Sequence, residues 1–185
     1  MIEMGDFKLL YAASCILLGL VILAPTVALV VRLPEGERFS ELYVLGPGHM
    51  AEGYPFNVSV NSVYRVFLGV GNHMGGLEDY VVYVKFRNQT ESLHGDVDES
   101  LFEYRVALRD SDVWEREVSF SFSERERALV VDGYSVAVEK IVAWNNQTSG
   151  FYCQLLFELW HFDGVSAFEY HNRFIGLWLN VTVPT

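Results

Sequence analysis

The sequence predicts an all-β domain, an antiparallel β-sandwich, carried behind one N-terminal transmembrane α-helix. Three observations predict it. A long uncharged apolar run stands near the start. Short runs rich in β-branched and aromatic residues fill the rest of the chain. Gly, Asn and Asp break those runs at intervals of about 8–15 residues, with no stretch of helical periodicity between them.

The first element is the apolar run. Leu9 to Val31 is 23 residues without a charge, bounded by Lys8 and Arg32. At 1.5 Å per residue this makes roughly 34 Å of helix, enough to cross a hydrocarbon core of about 30 Å with some tilt. A cleaved signal peptide has a shorter apolar region, of about 7–15 residues, ending in a small-x-small site. Here the run is longer, and Ala28-Leu-Val-Val31 before Arg32 makes a poor cleavage site. Pro25 is tolerated in a membrane helix better than in a soluble one. The sequence therefore divides into a cytoplasmic tail 1–8, an anchor 9–32 in contact with membrane lipid, a connection 33–40 with turn residues, and a β domain 41–185.

The strands follow in order. Leu42–Leu45 ends at Gly46-Pro-Gly48, Asn57–Val60 alternates, and Val63–Val70 is closed by the glycine-rich Gly71–Gly76. Tyr80–Phe86 is a β-rich run, followed by Phe102–Leu108 and Val113–Phe122. In Val118-Ser-Phe-Ser-Phe122 the alternation has the period of a half-buried strand. Tyr134–Val142, Phe151–Phe162 and Arg173–Val183 complete the set, and Ser123–Arg127 admits a short helical turn. Eight or nine short strands without intervening helices point to a sandwich and away from βαβ units.

Charge restricts the partners. The chain has a net charge of -11, and from Leu33 onward 22 acidic residues face 11 basic ones. Such a domain is repelled by phosphate backbones, which excludes nucleic acid, and it does not lie flat on an anionic lipid surface. The two cysteines are Cys15, inside the apolar run, and Cys153, alone in the rest. No disulfide is available within the domain, and Cys153 reads as a small buried hydrophobe.

Sequons give the orientation. Asn57-Val-Ser, Asn88-Gln-Thr, Asn146-Gln-Thr and Asn180-Val-Thr fit the N-glycosylation pattern and take up four of the eight asparagines. All four follow the apolar run, so the C-terminal part is expected outside the cell and the N-terminus in the cytoplasm.

Particular residues resemble a known family. Tyr43-Val-Leu-Gly-Pro47, Ala51-Glu-Gly-Tyr-Pro55, Val70-Gly-Asn-His73 with Tyr80-Val-Val-Tyr-Val84, and the ending Gly176-Leu-Trp-Leu-Asn-Val181 resemble an archaeal family of membrane proteins, the domain of unknown function numbered sixteen-sixteen. The resemblance covers Glu41–Glu91 well and the last dozen residues fairly. It implies an extracytoplasmic, immunoglobulin-like sandwich on a membrane stem, and no activity. Where the family tends to follow Asn-His with an acidic residue, this chain has Met74.

Candidate chemistry is sparse. Asp96-Val-Asp-Glu99 has calcium-loop residue types but lacks the glycine and spaced glutamate of an EF-hand, and Asp110-Ser-Asp112 reads as a turn. His49, His73, His94, His161 and His171 show no close metal-ligand spacing. The Gly71–Gly76 loop lacks the Lys and Ser/Thr of a phosphate loop. There is no Gly-x-Ser-x-Gly elbow. Trp160 and Trp178 read as core residues and Trp144 as exposed. The expectation is a non-enzymatic surface protein without metal or cofactor, mediating protein–protein contact as an accessory subunit of a membrane or envelope complex. The alternative is a carbohydrate- or solute-binding module.

Overall fold

The computed structural model describes residues 4–30, 37–91, 100–123, 128–137, 142, 144–162 and 164–182. The chain divides into two units, Met1–Glu37 and Arg38–Thr185. The first carries helix α1 (Met4–Val30). Its described side chains, residues 7, 8 and 10–24, are exposed. Among the described residues no helix is long and apolar enough to cross a membrane. That described stretch from residue 10 covers about 22 Å, less than the apolar run in the sequence.

The second unit is all β. Its strands are β1 (Phe39–Leu45), β2 (Asn57–Ser59), β3 (Tyr64–His73), β4 (Glu78–Arg87), β5 (Ser100–Leu108) and β6 (Val113–Ser123). They continue as β7 (Ala128–Val131), β8 (Tyr134–Ala137), β9 (Trp144–Asn145), β10 (Gly150–Phe162) and β11 (Phe168–Thr182). One sheet has the order β1-β3-β6-β7-β8; the other has β2-β11-β10-β4-β5, with β9 paired to the start of β10. All pairings are antiparallel except β2 with β11. The order β1-β3-β6 against β11-β10-β4-β5 corresponds to strands A-B-E against G-F-C-C′, so the unit is an immunoglobulin-like sandwich.

Its core is built from alternate residues. Val82, Val84 and Phe86 on β4 and Leu155, Phe157 and Leu159 on β10 join Val66, Leu68 and Val70 of β3 and Val118 and Phe120 of β6 in one cluster. Cys153 belongs to this cluster and is fully buried. Burial pushes its thiol up to about 12, as expected of a packed hydrophobe. A polar clamp joins the sheets at the edge. Tyr104 of β5 donates to Asp132 Oδ2 at 2.8 Å, while Asp132 Oδ1 accepts the Ser119 N–H at 2.8 Å.

Several boundaries differ from the sequence reading. The β unit starts at Arg38, so Phe39 and Ser40 belong to β1 and not to a connection. Strand β3 runs on through Gly71-Asn-His73 to meet Phe39–Glu41 of β1, which shortens the glycine-rich loop to Met74–Leu77. Gly69 is there because the Tyr43 ring lies where a β-carbon would be. Strand β11 starts five residues before Arg173. Strands β7 and β9 were not anticipated. The hairpin β7–β8 turns on Asp132 and Gly133, both at positive φ (48° and 84°), which is the two-residue geometry that matches strand twist. The proposed helical turn lies largely outside the described residues, as does the acidic cluster Asp96–Glu99.

Candidate functional site

The six-stranded sheet is buried on both faces at its centre. On β4 and β10 the residues of opposite parity to the core, Val81, Tyr83 and Lys85 on one strand and Gln154, Leu156 and Glu158 on the other, are all less than about one-tenth exposed. Register sets them side by side: Arg87 faces Gln154, Lys85 faces Leu156, and Tyr83 faces Glu158. None belongs to the inter-sheet core. An antiparallel sheet with one face on the core usually turns a polar face to solvent; here the outer face is an aromatic layer over a polar floor.

The layer is made of ring contacts. Trp160 stands edge-on to Tyr83 at 5.6 Å and tilts against Tyr170 at 5.9 Å. Toward the other end Tyr152 stacks on Trp178 at 4.8 Å, almost parallel, with Phe56 edge-on to Tyr152 and the Arg87 guanidinium 5.7 Å above Trp178. Trp160 and Trp178, read as core residues from sequence, are therefore half-buried members of this outer layer. Both carry the parity of Gln154 and Glu158, which no alternation revealed because both faces of β10 are buried.

Beneath the layer Lys85 Nζ meets Glu158 Oε2 at 2.8 Å, with side-chain exposures of 5% and 1%. Trp160 Nε1 donates to the same oxygen at 3.4 Å. Glu158 Oε1, Gln154 Oε1 and Arg87 Nε and Nη1 are buried without a partner among the described residues. Such atoms are costly to leave unmet. Gly176 makes room for the Gln154 amide, which lies where a Gly176 β-carbon would be. The pair had a signal in the sequence, one Lys and one Glu each set inside an apolar β-run.

All four sequons lie at one pole of the sandwich, where β4 and β11 end and β10 begins. Asn57 and Asn146 are exposed and Asn88 is half-buried. Asn88 Oδ1 accepts from the Thr90 N–H and hydroxyl, both at 2.9 Å, in a local turn. Asn180 differs. It is 1% exposed, and its Nδ2 donates to Asn57 Oδ1 at 3.0 Å and to the Thr148 carbonyl at 2.9 Å. The nitrogen that would carry a glycan is committed to closing this pole. The tripeptide pattern could not reveal this, because the partners come from β2 and the turn before β10. Trp144 is exposed as expected, edge-on to Phe151.

The opposite pole, where Arg38 leads into β1, gathers two of the histidines. The His161 and His171 rings lie 4.3 Å apart. His171 Nε2 is 2.8 Å from Ser40 Oγ, which is 2.6 Å from Tyr80 Oη, and Tyr80 donates to Asn72 Oδ1 at 3.2 Å. Burial, then His161 and Arg173, hold His171 below the usual histidine range. Ser40 is 1% exposed, so its hydroxyl is a structural link out of reach of a substrate. His161 Nδ1 is 3.9 Å from Glu78, beside a shallow cavity of about 290 Å³ lined by Leu77, Glu78, Asp79, His161, Phe162 and Gly164. His73 stacks on Phe39 and His49 tilts over Phe67. Asp110 and Asp112 do form a turn, closed by the Asp112 N–H on the Arg109 carbonyl at 3.0 Å, and Asp110 Oδ1 accepts the Gly75 N–H of the neighbouring loop at 2.8 Å. Among the described residues no three His, Cys, Asp or Glu side chains gather to hold a metal ion; His94 lies outside them.

Among solved structures the chain is similar to the CARDB domain of a Pyrococcus furiosus protein, determined in complex with di-metal ions. The identity is 11% over 82% of this chain and 94% of that one, with a TM-score of 0.43. It is also similar to part of a β-glucosidase from Listeria innocua in complex with glucose, at 12% identity over 78% of this chain and 16% of that one, TM-score 0.38. At that level of similarity neither says anything about what this chain binds. No curated protein matches it. A family profile described as a domain of unknown function, DUF1616, matches residues 33–132, more than half of the sequence, and this chain belongs to that family.

Proposed function

We propose that this protein is a non-enzymatic, membrane-anchored interaction module. In this reading residues 9–32 span the lipid, the N-terminus is cytoplasmic, and the sandwich stands outside the cell as an accessory subunit of a membrane or envelope complex. The observation that carries the interaction role is the outer face of the six-stranded sheet. Tyr152, Trp160 and Trp178 are half-buried over a floor that holds Tyr83 and the unmet polar atoms of Gln154, Glu158 and Arg87. Tyr, Trp and Arg are the residue types that concentrate binding energy at protein interfaces. The uncharged run Leu9–Val31, helical from Met4 to Val30, supports the anchor. Exposed sequon asparagines at Asn57 and Asn146 support an outside location.

The test is gentle detergent extraction of the full chain, affinity purification and mass spectrometry of co-purifying proteins, run beside Trp178→Ser and a Val63→Ser control. Stoichiometric recovery of one membrane or envelope protein, lost with Trp178→Ser and kept with Val63→Ser, is the expected result. A bare monomer after mild crosslinking, or a partner indifferent to Trp178, overturns the reading. A second reading has its own observation: Tyr152 and Trp178, stacked almost parallel with the Arg87 guanidinium over Trp178, are half-buried aromatics of the kind that pack against a sugar ring or other flat solute. Glycan-array binding abolished by Trp178→Ser would move the assignment there.

A further inference from the structure

Four strands end the two sheets: β1 and β8 in one, β2 and β5 in the other. A sheet edge carries a row of unpaired N–H and C=O groups, which is a template for another strand. Three of these edges are short or engaged. Strand β2 has three residues and β8 four. On β1 the Ser40 carbonyl accepts the Arg173 Nε–H at 3.3 Å, and the Ser40 hydroxyl meets His171 Nε2 at 2.8 Å. Strand β5 is nine residues long and, among the described residues, pairs with β4 alone. Its ladder with β4 shifts register between Val84 and Lys85, so it is regular from Phe102 to Leu108. Along that stretch Glu103 and Arg105 are exposed, Phe102 and Val106 are half-buried, and Tyr104 is buried between them.

We propose that β5 is the dimer seam of this protein, pairing antiparallel with β5 of a second copy about a two-fold axis at Tyr104. Charge order selects both the occupant and the register. Directly opposite residues of an antiparallel pair stand on the same face. A two-fold axis normal to the sheet therefore passes through one residue of β5 and pairs positions equidistant from it. An axis at Glu103 sets that carboxylate against its own copy, and an axis at Arg105 does the same with the guanidinium; like charges directly opposite are destabilising. At Phe102 or Val106 the axis leaves one charge of each strand facing Leu101 or Ala107. At Tyr104 it sets Glu103 of each copy opposite Arg105 of the other. Within one chain Arg105 already holds Glu103, Nε to Oε1 at 2.8 Å and Nη2 to Oε2 at 3.2 Å. Pairing then closes a square of charges of alternating sign. The same register sets Phe102 opposite Val106 of the second copy, beside the Tyr134 ring that packs on Phe102 at 5.5 Å and is 64% exposed. Lone charges blunt a sheet edge; this edge instead carries both signs in the order that its own antiparallel copy needs. The inference uses the β unit alone and is independent of the anchor.

The experiment is sedimentation velocity of the full chain in detergent at about 0.15 M salt, where the net charge of -11 is screened beyond about 8 Å. The side chains to be changed are exposed (Glu103 42%, Arg105 59%), and thermal unfolding checks that each variant folds. The parent is expected to form a concentration-dependent dimer. Glu103→Arg, or Arg105→Glu, puts like charges opposite on both sides of the axis and should weaken self-association at least about tenfold. The double variant Glu103→Arg/Arg105→Glu should restore it, and a mixture of the two single variants should associate where neither does alone. Register is read separately with Cys15→Ser chains under mild oxidation. Glu103→Cys mixed with Arg105→Cys should form a disulfide that neither forms by itself, because directly opposite positions come close enough and diagonal ones do not. A parent that stays monomeric, or a dimer indifferent to both charge reversals, overturns the inference. So does a monomeric parent whose co-purifying protein is lost with Glu103→Arg, since the edge then belongs to another chain.

Discussion

The ion pair under the aromatic layer gives a sharp test of how the outer face is held. Lys85 Nζ and Glu158 Oε2 are 2.8 Å apart and nearly solvent-free. At an effective dielectric near 20 their attraction is about 6 kcal/mol. Withdrawing each ion from water costs several kcal/mol, so the intact pair contributes little net stability. Removing one member is different. Lys85→Met keeps the volume and length of the aliphatic stem and leaves a buried carboxylate with its second oxygen, Oε1, already unpaired. The cost of breaking such a pair is about 3–5 kcal/mol. For a unit of this size each kcal/mol lowers the melting temperature by about 2–4 °C, so a fall of roughly 6–20 °C is expected. The assay is thermal and urea unfolding of the full chain in detergent, followed by tryptophan fluorescence, since Trp160 touches Glu158. The double variant Lys85→Met/Glu158→Leu removes both charges and should return to within about 1 kcal/mol of the parent. If the single variant costs less than about 1 kcal/mol, or the double is as unstable as the single, the pair is not buried as described and the reasoning fails.

Other outcomes follow from particular residues. A β-carbon on Gly150 would collide with the Asn180 side chain and the Val181 carbonyl, so Gly150→Ala should cost about 1–3 kcal/mol in urea unfolding. Under glycosylating expression Asn146→Gln should remove one glycan's mass and Asn180→Gln none, read by intact-mass spectrometry; a glycan on Asn180 would contradict its buried geometry. Cys153, with its thiol pushed up to about 12, should resist iodoacetamide at pH 8 in the folded protein and react only on unfolding, as followed by peptide mass mapping. His171 is held below the usual value of 6.5, so the unfolded chain takes up its proton first as pH falls. Its contribution is complete above about pH 6.5 and is lost progressively below it, and His171→Gln should flatten that limb of the stability–pH curve.

Strand runs such as Tyr80–Phe86 and Phe151–Phe162 were legible because β-branched and aromatic residues fit a pleated surface wherever they sit. Which side chains face the core was not legible there. Alternation separates two faces only when one of them is wet, and β4 and β10 are dry on both. Trp160 and Trp178 were misplaced for that reason. The β7–β8 hairpin, in contrast, carried a local signal in Asp132-Gly133 between Leu129-Val-Val131 and Tyr134 that is readable without the structure.

The candidate site belongs to a third category, because it is a product of register. Arg87, Gln154 and Trp178 are neighbours only because β10 pairs with β4 and β11 at those offsets. A one-residue slip would send every one of these side chains through to the other face. The same dependence explains the histidines. His161 and His171 are ten residues apart in sequence, and the β10–β11 hairpin sets His161 opposite Glu169, two positions from His171. It explains Asn180 as well: a sequon is a property of three consecutive residues, while its availability depends on Asn57 and Thr148, which strand pairing delivers. Within Asn-x-Ser/Thr the sequence states what an asparagine could accept. The register then decides whether its nitrogen is free to accept it.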